Sequence, residues 1–297
     1  MNDFINLVKI LASILVLAIL AGLVFYLKGF QQHFSDPVGS TEAKPLEQII
    51  NDNKLIGFQP GQREFHQALE AIALGKTEQA SQKLSIIQNL HPNSNYGPEA
   101  RRILGEINID EILSITNMEN KQIYKVEAGD GYLNVATSSD TTLSCIMFLN
   151  GLTELGNLRE GDELIVMPLD FKISVNIAQK RVVLFYRDDA NKEHVFTKEY
   201  LIQGMDLPSL SKRSYLSTIS RKQGEEGNRT YPPTHARYRN ATKVLGFKVG
   251  GRYLQFRPVP ALDAVDPGSG IFLKPSDMEE LAMLIRVGIE VELNNAD

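Results

Sequence analysis

Few residues of this chain have the chemistry of a catalytic or metal site. Cys145 is the only cysteine. A thiolate nucleophile needs a nearby base to take its proton. No histidine lies in the surrounding stretch from Tyr124 to Pro168, so an inert, buried thiol is expected. A single cysteine excludes an intramolecular disulfide framework and a cysteine-rich zinc site. The five histidines, at 33, 66, 91, 194 and 235, form no H-x-x-x-H pair. No metal or cofactor is therefore expected. A different chemistry sits between Lys212 and Arg257. Eleven basic residues stand there against two acidic ones, with Tyr215, Tyr231, Tyr238 and Tyr253 interleaved. A basic surface with aromatics suits an anionic partner. The plainer expectation is a solvated loop insertion with scattered charge.

The elements that must position these residues are bounded by composition. The chain has 297 residues, 43% apolar and 23% charged, with a net charge of −5. That length suits about two domains of roughly 150 residues. The balance excludes global disorder and a polytopic membrane protein, and the charge by itself does not suggest a nucleic-acid binder.

Ile10 to Leu27 is an 18-residue run without a charge, bracketed by Lys9 and Lys28. As a helix it covers roughly 27 Å, close to one hydrocarbon core. The apolar part of a cleaved signal peptide is about 7–15 residues and ends in a small-x-small site. Here the bulky Val24-Phe25-Tyr26-Leu27 follows Ala21-Gly22, so an uncleaved anchor is expected. The flanking lysines lean to a cytoplasmic N-terminus.

A polar linker follows. Then Glu64 to Leu74 places Phe65, Leu69 and Ile72 on one helical face. Gly75 breaks it. Thr77 is placed to cap a second helix, in which Ala80, Leu84, Ile87 and Leu90 share a face. Pro98 opens a third helix running towards Leu113. The Ala68…Leu74-Gly75…Ala80…Leu84…Pro92 pattern resembles one tetratricopeptide-type hairpin. That resemblance implies either a spacer or a groove for a protein partner.

From Tyr124 to Pro168 the text reads as strand, two short helices and strand. Gly129-Asp130 is turn chemistry, and Gly151 is a helix stop. Val126, Val135, Ile146, Leu158 and Leu164 are its expected core. Tyr124-Lys-Val126-Glu-Ala-Gly129-Asp130, then Val135-Ala136, Asn150, Leu158, Gly161, Leu164, Val166 and Pro168 follow a known pattern. The stretch closely resembles the lysin motif (LysM). That family binds N-acetylglucosamine-containing glycans such as peptidoglycan in a groove between two loops. The resemblance puts Gly129, Asp130, Gly131 and Tyr132 on one loop and Gly151, Leu152 and Thr153 on the other. Backbone groups and a carboxylate would bond an acetamido group, and an apolar face would pack on the sugar.

From Phe171 onward, Ile173…Val175 and Val182…Tyr186 alternate as strands. Val195 to Gly204 reads as a third strand, and Gly246 to Phe256 holds two more. Asp277 to Val287 is an amphipathic helix with Met278, Leu281, Ala282, Leu284 and Ile285 inside and Arg286 in its last turn. Gly288 stops it before a final strand, Ile289 to Leu293. This frame resembles the L,D-transpeptidase catalytic domain, which cross-links peptidoglycan stems. At the motif, Gly270 stands where the nucleophilic cysteine belongs, Gly268 where the histidine belongs, and Phe272 where the arginine belongs. Ser269 would need a base stronger than any in its local sequence.

The expected fold class is α+β and multidomain. The parts are a transmembrane anchor (1–28), a linker (29–48), a helical segment (49–118), a LysM module (122–168) and a mainly-β L,D-transpeptidase-like domain (171–297). The expected function is a non-catalytic, membrane-anchored, peptidoglycan-binding tether or scaffold with a pseudoenzyme domain. It would sit in the bacterial cytoplasmic membrane, N-terminus inside and bulk outside. The alternative is an envelope-complex protein that binds a protein partner through its helical segment or basic stretch. A third reading is an active transpeptidase with a displaced nucleophile. Nucleic acid is not an expected partner.

Overall fold

The computed structural model describes residues 59–188, 193–210, 212–260 and 269–295. The expected anchor and linker lie outside them. Among the described residues no helix is long and apolar enough to cross a membrane. The described residues all belong to one compact unit, 59–297.

Three helices come first: α1 (Gln62–Ala73), α2 (Thr77–Leu90) and α3 (Gly97–Leu113). They share a core of Ala68, Ala71, Ala80, Leu84, Ile87, Ala100 and Leu104. Small residues let the axes approach closely, and that decides which face is buried. The expected Phe65–Leu69–Ile72 face is therefore displaced. Phe65 packs on this core, but Leu69 and Ile72 are exposed on the flank of α1. Leu90 is exposed too, beyond the contact made by Ile87. Thr77 makes no cap; Lys76 holds that position without a side-chain bond.

The next unit is β1 (Gln122–Lys125), α4 (Tyr132–Ser138), α5 (Leu143–Leu149) and β2 (Glu163–Val166). The two strands pair antiparallel, Tyr124 opposite Leu164. Val126, Val135, Ala136, Leu143, Ile146, Leu164 and Val166 form its own core, on which Tyr132, Leu152 and Leu158 rest. Thr142 caps α5 by accepting from Cys145 N at 3.0 Å.

The rest is one ten-stranded sheet with a late helix. Its strands are β3 (Phe171–Asn176), β4 (Arg181–Asp188), β5 (Glu193–Leu201), β6 (Gly204–Asp206), β7 (Ser214–Glu226), β8 (Arg229–Tyr231), β9 (Thr242–Val249), β10 (Arg252–Pro258), β11 (Gly270–Leu273) and β12 (Glu290–Asn294). The order is β5-β4-β3-β12-β7-β9-β10-β11-β6, with β8 beside β7. Strands β5 and β6 are at opposite ends of this order, yet only Ile202 and Gln203 separate them. Four consecutive Cα atoms span at most about 11 Å, so the sheet must curl until its ends nearly meet. Ile202 N donates to Lys180 O (2.9 Å) at one end and Gln203 N to Phe272 O (2.8 Å) at the other. The single strand expected over 195–204 is thus two, on two edges.

The largest correction concerns Lys212 to Arg257. It is not a solvated loop: it supplies β7, β9 and β10, in the middle of the sheet. Ile219, Leu245, Phe247, Leu254 and Phe256 alternate inward along it. Most of its charges occupy outward positions between them, and this hid the period. Helix α6 (Pro275–Leu284) buries Met278, Leu281, Ala282 and Leu284. It ends earlier than expected, so Arg286 lies past its last turn and does not serve the macrodipole. Arg286 instead donates from Nε to Leu169 O (3.2 Å) and pairs with Asp140 (3.1 Å).

Candidate functional site

The two expected glycan loops are built by local chemistry. In the first, Gly129 has φ 91°, a conformation that costs glycine little. Asp130 N bonds back to Glu127 O at 3.1 Å. The Asp130 carboxylate accepts from Glu127 N (2.9 Å) and from the Tyr124 hydroxyl (2.8 Å). The hydrogen bond to Asp130 raises the Tyr124 phenol above its ordinary range. A second turn repeats the design: Asp162 N reaches Arg159 O (3.0 Å) and the Asp162 carboxylate accepts Arg159 N (2.8 Å). Val126 N to Asp162 O (2.8 Å) and Gly161 N to Val126 O (2.9 Å) join the two turns. One oxygen of Asp130 is therefore a brace of its own turn.

The second loop leaves α5 through a Schellman motif. Gly151 N bonds Phe148 O (3.2 Å) and Leu152 N bonds Met147 O (2.9 Å), with Gly151 at φ 62°. Asn150 locks the exit: its amide donates to Ile146 O and Ile165 O and accepts from Ile165 N, each at 2.8 Å. Tyr132 and Leu152, one from each loop, rest on the same core. Gly129, Gly131 and Gly151 have no heavy atom within 4 Å of where a side chain would start, so the side-chain position at each is open, while the Gly131 carbonyl accepts from Val135 N at 3.1 Å. Thr153 is different. Its carbonyl accepts from Arg239 Nη1, on the 3₁₀ turn Ala236–Arg239 of the β domain.

Sequence reasoning missed several neighbours of these loops. Phe148 and Leu133 are exposed apolar residues on α5 and α4. With Leu143, Ile146 and Leu149 inside, helical periodicity does leave Phe148 outside, so a signal existed. Arg239 had none, because it lies 86 positions from Thr153.

The unit is pinned to the β domain. The Thr142 hydroxyl donates to Met283 O (2.6 Å), Leu169 N donates to Asp140 O (2.8 Å), and Arg286 pairs with Asp140. Beside these contacts α5, α6, β9 and the 3₁₀ turn enclose a cleft of about 300 Å³.

The second set of expected positions surrounds β11. Gly270 pairs with Gln255 of β10 in parallel register. A Cβ there would lie 2.4 Å from Gln255 O, a backbone atom. No side chain, thiol or otherwise, fits without moving a strand. Ser269 donates to the Asp206 carboxylate at 3.0 Å, on the exposed edge. Phe272 is buried. Gly268 lies outside the described residues. Cys145 is fully buried, and desolvation pushes its thiol from 9.0 up to about 11. Lys222 is buried near it. Its ammonium donates to Ile285 O (3.0 Å), and burial lowers its pKa from 10.5 to about 7. Among the described residues no three His, Cys, Asp or Glu groups cluster as for a metal ion.

No protein-family model matches the chain, and no curated protein matches it. Solved structures do. One is a fused Zn-dependent amidase/peptidase/peptidoglycan-binding domain-containing protein from Clostridium acetobutylicum ATCC 824, with 10% identity over 42% of this chain and 51% of that one, at TM-score 0.28. Another is Bd1075 of Bdellovibrio bacteriovorus, with 13% identity over 42% of this chain and 47% of that one, at TM-score 0.28. This chain spans about half the length of those two. A third is an L,D-transpeptidase (Yku) from Stackebrandtia nassauensis, with 12% identity over 80% of this chain and 92% of that one, at TM-score 0.24. The chain thus has a weak structural similarity to an L,D-transpeptidase.

Proposed function

We propose that this protein is a non-catalytic tether of the bacterial cell envelope. Residues 1–28 would anchor it in the cytoplasmic membrane with the bulk outside. Residues 122–168 would act as a LysM-type module on N-acetylglucosamine-containing glycan such as peptidoglycan. One observation carries the reading: the side-chain positions of Gly129, Gly131 and Gly151 are open, and Tyr132 and Leu152 rest on the one core beneath the two loops. Glycines without a side chain let a ligand approach the backbone closely, and a tyrosine suits a sugar face. The β domain would be a pseudoenzyme. Support comes from the absence of space at Gly270 and from the buried, protonated Cys145.

Co-sedimentation of the full chain, in detergent, with purified peptidoglycan sacculi tests this. Saturable binding is expected. Gly131→Val adds bulk where nothing stands within 4 Å, so the fold should tolerate it and binding should fall about tenfold or more. Binding that Gly131→Val leaves intact would move the site elsewhere. No binding at physiological salt would remove the tether reading.

A protein partner is the second reading. The exposed Leu69, Leu74 and Leu90 of the helical segment favour it. Pull-down with Leu69→Ser/Leu90→Ser discriminates, because sacculus binding would not change.

A further inference from the structure

An asparagine followed two places on by serine or threonine, with no proline between, is the acceptor sequence of N-glycosylation. The chain holds it twice, at Asn228-Arg229-Thr230 and at Asn240-Ala241-Thr242. The hydroxyl of the third residue helps a transferase to hold the acceptor. Bacterial transferases of this class also select an acidic residue two places before the asparagine. The first sequence has one and the second does not: Glu226 precedes Asn228, whereas Tyr238 precedes Asn240.

The fold separates the two further. Asn228 lies at the tip of the hairpin between β7 and β8, where Glu226 pairs with Arg229 and Glu225 with Thr230. Every residue from Glu226 to Thr230 is exposed. Gly227, at φ 56°, has no heavy atom within 4 Å of its side-chain position, so nothing crowds the turn there. No hydrogen bond among the described residues holds the Asn228 carboxamide or the Thr230 hydroxyl. Glu226 meets Arg237 at 3.5 Å with both side chains mostly exposed, a pair too weak to withhold the carboxylate from a partner. A transferase must draw its acceptor into an extended segment. Strand β8 is three residues long and pairs with β7 off the main path of the sheet, so opening this tip breaks few bonds. Asn240 stands in a different setting. Ala241, the middle residue of its sequence, is buried with Tyr231 and Tyr238. Thr242 is already in β9, opposite Glu225. Drawing that segment out would empty a packed cluster and unzip a central strand.

We infer that Asn228 is an N-glycosylation site, which accepts an oligosaccharide from a membrane-bound transferase of the bacterial type, and that Asn240 is not. In the transfer, Asn228 Nδ2 forms a bond to the anomeric carbon of the first sugar. The bond that breaks joins this carbon to the diphosphate of a polyprenyl-diphosphate-linked oligosaccharide. The diphosphate leaves with the electron pair and the carboxamide gives up one proton, so nothing is oxidised or reduced. The transfer takes place on the outer side of the cytoplasmic membrane. The inference therefore rests on the reading that the bulk of the chain lies outside, and not on glycan binding by the 129–132 and 151–153 loops.

Co-expression of the full chain in a bacterium that carries such a transferase and its lipid-linked oligosaccharide tests it, read by peptide mass spectrometry. A second acceptor, acidic-x-Asn-x-Thr, is appended after Asp297 as a control. The fragment with Asn228 should gain the mass of the oligosaccharide, and the fragment with Asn240 should keep its own mass. Asn228→Gln and Thr230→Val should each abolish the gain at this hairpin and leave that of the tag. Glu226→Gln keeps the Asn-x-Thr sequence and should lose most of the modification. All three changes lie on the exposed hairpin, so the variants should melt with the parent. A modified tag beside an unmodified Asn228 overturns the assignment. Modification at Asn240 in place of Asn228, or full occupancy in Glu226→Gln, overturns it too. If the tag also stays unmodified, the bulk of the chain is not outside, and the topology reading fails with the inference.

Discussion

Lys222 and Cys145 place two titrations of opposite sign at one buried spot. Folding lowers the Lys222 ammonium from 10.5 to about 7. The unfolded chain therefore binds more protons between those values, and stability rises with pH across them, by at most roughly 1.4 kcal/mol per unit. Folding raises the Cys145 thiol from 9.0 to about 11. Between those values the folded chain keeps the proton, and stability falls as pH rises. The two oppose each other above pH 9, so the Lys222 contribution should show as a rise from pH 7 to pH 9. Urea midpoints at pH 7, 8 and 9 check this. Lys222→Met should flatten the profile relative to the parent, and equal slopes would refute the assignment. Gly270 is the other decisive residue. Gly270→Cys restores a thiol to the place where the resemblance puts a nucleophile, but its Cβ meets Gln255 O at 2.4 Å. It should lower stability by about 1–3 kcal/mol through overpacking and yield no peptide cross-linking activity on muropeptides. Cross-linking by that variant would contradict the pseudoenzyme reading.

At the scale of elements, the glycan loops depend on the exit from α5. Asn150 makes three hydrogen bonds at 2.8 Å that tie the helix end to β2. Asn150→Ala should cost about 2–3 kcal/mol, at roughly 1 kcal/mol per bond. Gly151→Ala places a Cβ at φ 62° and should cost about 1 kcal/mol. Urea melts measure both. If the loops are the glycan site, the stabilities and sacculus affinities of these two variants should fall in the same order. Buried Lys243, held by two carbonyls and Glu279, shows how a basic element can lie inside a sheet.

At the scale of the molecule, the largest core cluster reaches across the parts. Ile109 and Leu113 of α3, Cys145 and Leu149 of α5, and the strands of the sheet all belong to one cluster. Helix α3 also covers carbonyls of edge strand β5, where Asn108 donates to Phe196 O (3.2 Å) and Thr197 O (3.1 Å). The parts should therefore unfold together rather than as beads on a string. Thr142→Val with Arg286→Met removes two of the polar ties of the 122–166 unit to the β domain, the Thr142–Met283 bond and the Arg286–Asp140 pair. Hydrogen exchange should then show α4 and α5 opening at lower free energy than the sheet, while in the parent they open with it. Independent opening in the parent would mean that the docking is weaker than this packing implies.

The sequence by itself determined what local chemistry controls. Alternation along β3 and β4, the turn glycine at 129, the helix-stop glycine at 151, and the buried face of α6 are set within a few residues of chain. So is the absence of a cysteine at position 270. The tertiary structure alone decided what depends on distant partners. Alanine-mediated packing turned Leu69 and Ile72 outward. Sheet pairing drew the basic 212–257 stretch into the centre, because inward apolar residues alternate with its charges and neighbouring strands supply the missing hydrogen bonds. Curling brought β5 and β6 to opposite edges across two residues. The close approach of Gln255 O to Gly270 and the reach of Arg239 to Thr153 arise only when strands far apart in the chain meet.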